Sequence, residues 1–109
     1  FLERGAHPDT PKITGITPLL ITAQEGYYEI AEMLVNAGAN INAISKKDRT
    51  TPIYFASCFG HTKIAAMLIK KGANIHCQTR SGASPLFVAA MTGRMAIVEL
   101  LLQCDPNLN

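Results

Sequence analysis

Apolar positions along the chain fall into two alternating patterns. Three short runs, PLLITAQE at 18–25, PIYFASCF at 52–59 and PLFVAAMT at 85–92, are densely apolar, with small residues at Ala23, Ser57 and Ala90. They predict short helices, and the small residues allow close approach between neighbours. A spaced pattern follows each run. Ile30, Met33, Leu34 and Ala37 stand at i, i+3, i+4 and i+7; Ile97, Leu100, Leu101 and Cys104 repeat this, and Ile64, Met67 and Leu68 give its first three positions. A stripe at that spacing predicts an amphipathic helix. Glu29, Glu32, Lys63, Lys70 and Arg94 then face solvent.

The boundaries of these helices are written in residue types. Thr17-Pro18, Thr51-Pro52 and Ser84-Pro85 precede the short runs. A hydroxyl there accepts a hydrogen bond from an otherwise unpaired amide, which stabilises by about 1 kcal/mol. Proline suits the first helical position because no amide is needed there. Gly26, Gly60 and Gly93 end the runs, where a left-handed residue is commonly required. The second helices exit through AGANIN at 37–42 and KGANIH at 71–76. Gly38 and Gly72 can take a positive φ there that costs other residues about 1–2 kcal/mol. The unit is a helix, a turn, a helix and a long loop with an extended segment. Hydroxyl-proline pairs, turn glycines and Leu34, Leu68 and Leu101 all recur at intervals of 34 and 33 residues. A fixed period of this length marks stacked repeats.

With these markers the chain resembles the ankyrin repeat family, whose period is near 33 and whose core reads T-P-L-H-x-A. The corresponding stretches are TPLLITA at 17–23, TPIYFAS at 51–57 and SPLFVAA at 84–90. The G-H of the family is matched by Gly60-His61, and its G-A-D-V-N exit by 38–42 and 72–76. The resemblance implies an all-α solenoid of stacked helix-turn-helix units with hairpin-like loops. It divides one array into a partial repeat at 1–14, repeats at 15–48 and 49–81, and an incomplete last repeat at 82–109. The histidine of T-P-L-H is Leu20, Tyr54 and Phe87 here, so its hydrogen bonds between neighbouring loops are expected to be missing. The loop from Gly38 to Thr51 is one residue longer than those from Gly5 to Thr17 and from Gly72 to Ser84. Gly15 and Gly82 find no clean partner in it, Asp48 standing nearest. Asp105 occupies the glycine place of the last exit, which predicts an irregular helix end. Terminal repeats normally carry a polar outer face, and none is visible. Leu19, Leu20 and Ile21 need covering, which Phe1-Leu2 supplies only in part. The expectation is a fragment of a longer array.

Composition narrows the chemistry. Apolar residues make up 48% and charged residues 17%, enough to bury a core and too little charge for disorder. No apolar run approaches the roughly 20 residues of a membrane span, and no signal peptide is visible. A net charge of +2 does not argue for nucleic acid. Cys58, Cys77 and Cys104 are odd in number and lack zinc-site spacing, which predicts reduced thiols and an intracellular location, cytoplasmic or nuclear. His7, His61 and His76 are far apart in the repeat register. His61 matches a structural histidine of the family, and His76 a loop position. Asp9, Glu25, Asp48 and Asp105 are scattered singly, with no H-E-x-x-H, Walker loop or G-x-G-x-x-G. No enzyme activity, metal or cofactor is expected.

What remains is a surface. The resemblance implies recognition of a partner protein through a concave face built from loop tips and first helices. The tips are Ile13, Thr14 and Ile16, then Lys46, Lys47, Arg49 and Thr50, then Arg80, Ser81 and Ala83. The helix positions are Gln24 and Glu25, Cys58 and Phe59, and Met91 and Thr92. Partner contacts are expected at Gln24, Glu25, Lys46, Lys47, Arg49, Cys58, Phe59, Arg80 and Met91. Phe59 and Met91 are apolar where solvent favours polar groups, and aromatic, Met and Arg residues are enriched in interface cores. Phe59 reads equally well as packing against Tyr27, Tyr28 or a neighbouring helix. The cations read as a solvated edge or as an attractor for an acidic partner segment. Cys58 reads as a partly buried filler or as a reactive thiol of lowered pKa. Asn42 lies in an exit motif where intracellular ankyrin repeats can be hydroxylated, although its counterparts Asp9, His76 and Asn109 are not uniform. Three other functions stand beside partner binding by a monomer without membrane insertion. The first is a structural or regulatory spacer in a larger enzyme, channel or scaffold protein. The second is nucleic-acid binding through the basic tips, with strong salt dependence. The third is catalysis by Cys58, which predicts a low thiol pKa and fast alkylation.

Overall fold

Three hydroxyls start three of the helices. Thr17 accepts from the Leu20 amide at 3.3 Å, Thr51 from Tyr54 at 3.2 Å and Ser84 from Phe87 at 3.1 Å. Each is followed by proline in the first turn. In this computed structural model, which describes residues 17–104, the helices are α1 Pro18–Glu25, α2 Tyr28–Asn36, α3 Pro52–Phe59, α4 Thr62–Lys70, α5 Pro85–Met91 and α6 Met95–Cys104. No strand occurs among the described residues. The fold is all-α. The expectations placed on Phe1-Leu2, Gly5, His7, Asp9, Ile13, Thr14, Gly15, Ile16, Asp105 and Asn109 lie outside the described residues.

The second helices exit as predicted. Gly38 (φ +100°) donates to the Val35 carbonyl while Ala39 reaches back to Leu34, and Gly72 (φ +96°) and Ala73 repeat this on Ile69 and Leu68. These paired bonds satisfy carbonyls that a helix end leaves open. α5 closes one residue earlier than its run, at Met91; the Thr92 amide and hydroxyl both donate to the Val88 carbonyl, at 3.0 and 2.7 Å.

The helices form two layers. α1, α3 and α5 pack side by side, α2, α4 and α6 lie behind them, and each short helix packs on the helix that follows it. One continuous core runs through Leu19, Leu34, Ile53, Ile64, Leu68, Ile97 and Leu101, all buried, together with buried Ala23, Ala31, Ala56, Ala65 and Ala89. Leu19 and Leu20 are fully buried, and Ile21 is half-buried.

Position in the stack corrects two expectations. Ile64, Met67 and Leu68 are buried, but Ile30 is 38% and Met33 61% exposed, and Ala37 and Cys104 are exposed. α4 has a helix pair on either side, whereas α2 has a described neighbour on one side only. Ala23 and Ser57 are buried while Ala90, their counterpart, is exposed, since no described pair follows α5. Glu32 also departs from its solvated reading: it is half-buried and accepts the Tyr28 hydroxyl at 3.4 Å.

Ser57 is fully buried, and its hydroxyl has no hydrogen-bond partner. A buried hydroxyl left unmade loses water without compensation. Ser57→Ala is therefore expected to stabilise the fold by about 1 kcal/mol, read as a higher urea midpoint. A lower midpoint would show that the hydroxyl is satisfied.

Candidate functional site

The tip between α2 and α3 is closed by short bonds. The Ser45 amide donates to the Thr50 carbonyl and the Arg49 amide to the Ser45 carbonyl, both at 3.0 Å. The Thr50 amide donates to the Ser45 hydroxyl at 3.1 Å, and the two hydroxyls meet at 2.7 Å. Ser45 and Thr50 are buried beneath the tip, while Lys46, Lys47, Asp48 and Arg49 are exposed. The next tip is closed by Thr79 and Ala83 in the same manner.

Arg49 is the one non-glycine residue with positive φ among the described residues, at +59°. It stands two residues before Thr51, as Gly82 (φ +87°) stands two before Ser84. The glycine place of this turn is thus taken by Arg49, not by its neighbour Asp48.

Arg80 joins the two tips. Its Nε donates to the Lys47 carbonyl at 2.6 Å, its Nη2 to the Lys46 carbonyl at 3.0 Å, and its amide to the Asp48 carbonyl at 3.0 Å. Lower down, the Asn74 amide donates to Asn42 Oδ1 at 2.8 Å. Neighbouring loops are therefore bonded to each other despite the apolar and aromatic residues at Leu20, Tyr54 and Phe87; the expected loss is made good by Arg80 and Asn42. A cleft of about 360 Å³ opens between the tips, lined by Asp48, Thr50, Tyr54, Thr79, Arg80 and Ser81. Burial first, then the nearby Cys58 and Asp48, pushes the Tyr54 phenol above its ordinary range.

The helix positions differ in character. Gln24 and Cys58 are half-buried and Glu25 is exposed. Phe59 is 44% and Met91 68% exposed. Phe59 meets neither Tyr27 nor Tyr28 ring to ring; it stacks on Phe55 with centroids 6.3 Å apart and lies 6.4 Å from the His61 ring. Phe55, half-buried beneath it, and Phe87, 55% exposed, are surface aromatics absent from the expected partner contacts. The signal available for Phe87 was its aromatic ring in the histidine place of T-P-L-H.

His61 is structural. Its Nε2 lies 3.0 Å from the Gln24 carbonyl at the end of α1. Arg94, its counterpart, donates from Nε to the Cys58 carbonyl at 3.4 Å. On the outer layer, Lys63 Nζ sits 4.9 Å from the centre of the Tyr28 ring, a cation–π contact. The Glu32 carboxylate raises the pKa of that phenol. Cys58, Cys77 and Cys104 form no disulfide. Among the described residues no three His, Cys, Asp or Glu side chains converge as a metal site would need. No helix among them is long and apolar enough to cross a membrane.

Among curated proteins none matches the chain significantly. A family model described as ankyrin repeats in three copies matches residues 1–79 and again 38–109. With that match over a stack of capped helix pairs, the chain belongs to the ankyrin repeat family.

Proposed function

We propose that this chain is a non-enzymatic interaction module that binds an extended segment of a partner protein along the face formed by its loop tips and first helices. Ankyrin repeats are generally protein–protein interaction modules. The observation that carries the reading here is the combination of exposed Phe59 and Met91 with exposed Lys46, Lys47 and Arg49. The side chains of these three cations have no hydrogen-bond or ion-pair partner among the described residues. Apolar anchors would supply affinity, and unpaired cations would favour an acidic segment and faster encounter. Gln24, Glu25 and Cys58 extend the same row. Arg80 supports it from within, because its guanidinium is held on the Lys46 and Lys47 carbonyls. Rigid tips present side chains with little ordering cost on binding. Three thiols outside any disulfide support a reducing, intracellular setting, and a monomer suffices for such a face.

The test is capture of proteins from a cell lysate by the chain, by a variant carrying Phe59→Ala, Met91→Ala and Lys47→Glu, and by an outer-layer variant carrying Lys63→Glu and Lys70→Glu. The reading expects the first variant to lose the captured partner by about tenfold or more, equivalent to about 1.4 kcal/mol, with the outer variant unchanged. The reverse result moves the site to the second helices. Capture of nothing by the folded parent favours a spacer role.

A further inference from the structure

We propose that Arg49 determines partner choice on this face, and that it reads a carboxylate on an acidic peptide segment; the inference rests on the concave-face reading above. The starting point is an outlier. Arg49 holds φ at +59°, where Gly82 holds the equivalent turn at +87°. The turn therefore asks only for a residue that tolerates left-handed backbone, and arginine tolerates it poorly. Strained backbone survives where the surroundings over-determine it, and it clusters at functional sites. The surroundings here do so: the Ser45 and Thr50 bonds close the tip, and Arg80 grips three successive carbonyls beneath it.

The Arg49 side chain repays none of that strain within the fold. It is exposed, and no acceptor among the described residues bonds to it. Arg80, one tip away, shows the contrast, since its guanidinium is occupied by main-chain oxygens. Lys46 and Lys47 flank the same turn, exposed and without carboxylate partners among the described residues. Against the one carboxylate of this tip, exposed Asp48, the three cations leave a net positive charge that favours an anionic occupant. Lysines act as point charges that steer an encounter, whereas a guanidinium offers a planar fork that grips a carboxylate through two parallel bonds. Arg49 is thus the residue able to discriminate a positioned Asp or Glu from diffuse negative charge.

The experiment selects a display library of random dodecapeptides on the immobilised full chain. Parallel selections use Arg49→Gly, Arg49→Ala and the double variant Phe59→Ala with Met91→Ala. The parent is expected to enrich peptides containing Asp or Glu. Both Arg49 variants lose that enrichment and bind the best parent peptide about tenfold more weakly, as loss of a charged hydrogen bond requires. In thermal melts Arg49→Gly rises about 5 °C above Arg49→Ala, because glycine relieves the backbone. Arg49→Gly retaining the parent's acidic peptides at parent affinity, while the Phe59 and Met91 variant loses them, overturns this proposal and leaves the face intact. Parent peptides without acidic enrichment, or Arg49→Gly melting no higher than Arg49→Ala, also overturn it. A parent that selects nothing, or a Phe59 and Met91 variant that selects the same peptides, sinks the face reading and this one with it.

Discussion

Gly26→Ala is expected to destabilise the fold by about 3 kcal/mol, of which about 1–2 comes from left-handed backbone and about 1 from a lost hydrogen bond. Gly26 holds φ at +86°, and a Cβ there would stand 2.6 Å from the Cε1 and 2.8 Å from the Nδ1 of His61. The imidazole has to leave, and with it goes the contact between Nε2 and the Gln24 carbonyl. Gly38 is the internal control. Its φ is +100°, yet no heavy atom lies within 4 Å of its added Cβ. Gly38→Ala should then lose only the backbone share. Urea unfolding of the two variants measures the difference. In a His61→Ala background the two glycine substitutions should cost the same, because the ring that separates them is gone. Equal losses in the parent background would remove His61 from the account.

Leu68→Ala should cost about 3 kcal/mol, as buried leucines do when a cavity is left behind, while Met33→Ala changes stability by no more than about 0.5 kcal/mol. Both residues belong to the apolar stripe that recurs on each second helix, Met33 on α2 and Leu68 on α4. Leu68 is fully buried in the middle helix pair; Met33 is 61% exposed on the first. Folded domains are stable by roughly 5–15 kcal/mol, so the first loss is a large share of the whole. Thermal midpoints of the two variants decide the matter. A Met33→Ala loss equal to that of Leu68→Ala would mean that the outer side of α2 is covered in solution.

The contrast between those two residues marks how far the sequence could be read. Helix starts at Thr17, Thr51 and Ser84 and exits at Gly38 and Gly72 were legible, because capping and left-handed turns demand particular residue types. The period was legible for the same reason. Spacing of apolar residues identifies the face of a helix but not what stands opposite, so Ile30 and Met33 looked like Ile64 and Met67. The tip was harder still. An arginine in a glycine place leaves no compositional trace, and Asp48 was the more natural choice by residue type. Arg80 looked like a surface cation because a side chain that bonds to main-chain oxygens has no partner residue type to betray it.

That last bond has a consequence for how the module could change over evolutionary time. Arg80 holds the carbonyls of Lys46 and Lys47 and, through its amide, that of Asp48. A carbonyl is common to all twenty amino acids. The grip is therefore blind to which side chains occupy 46 to 48, and those three letters can be rewritten without loosening the joint between tips. The fold keeps its spelling at Arg80, Ser45 and Thr50, and leaves the intervening word open to drift or to deliberate redesign toward new ligands.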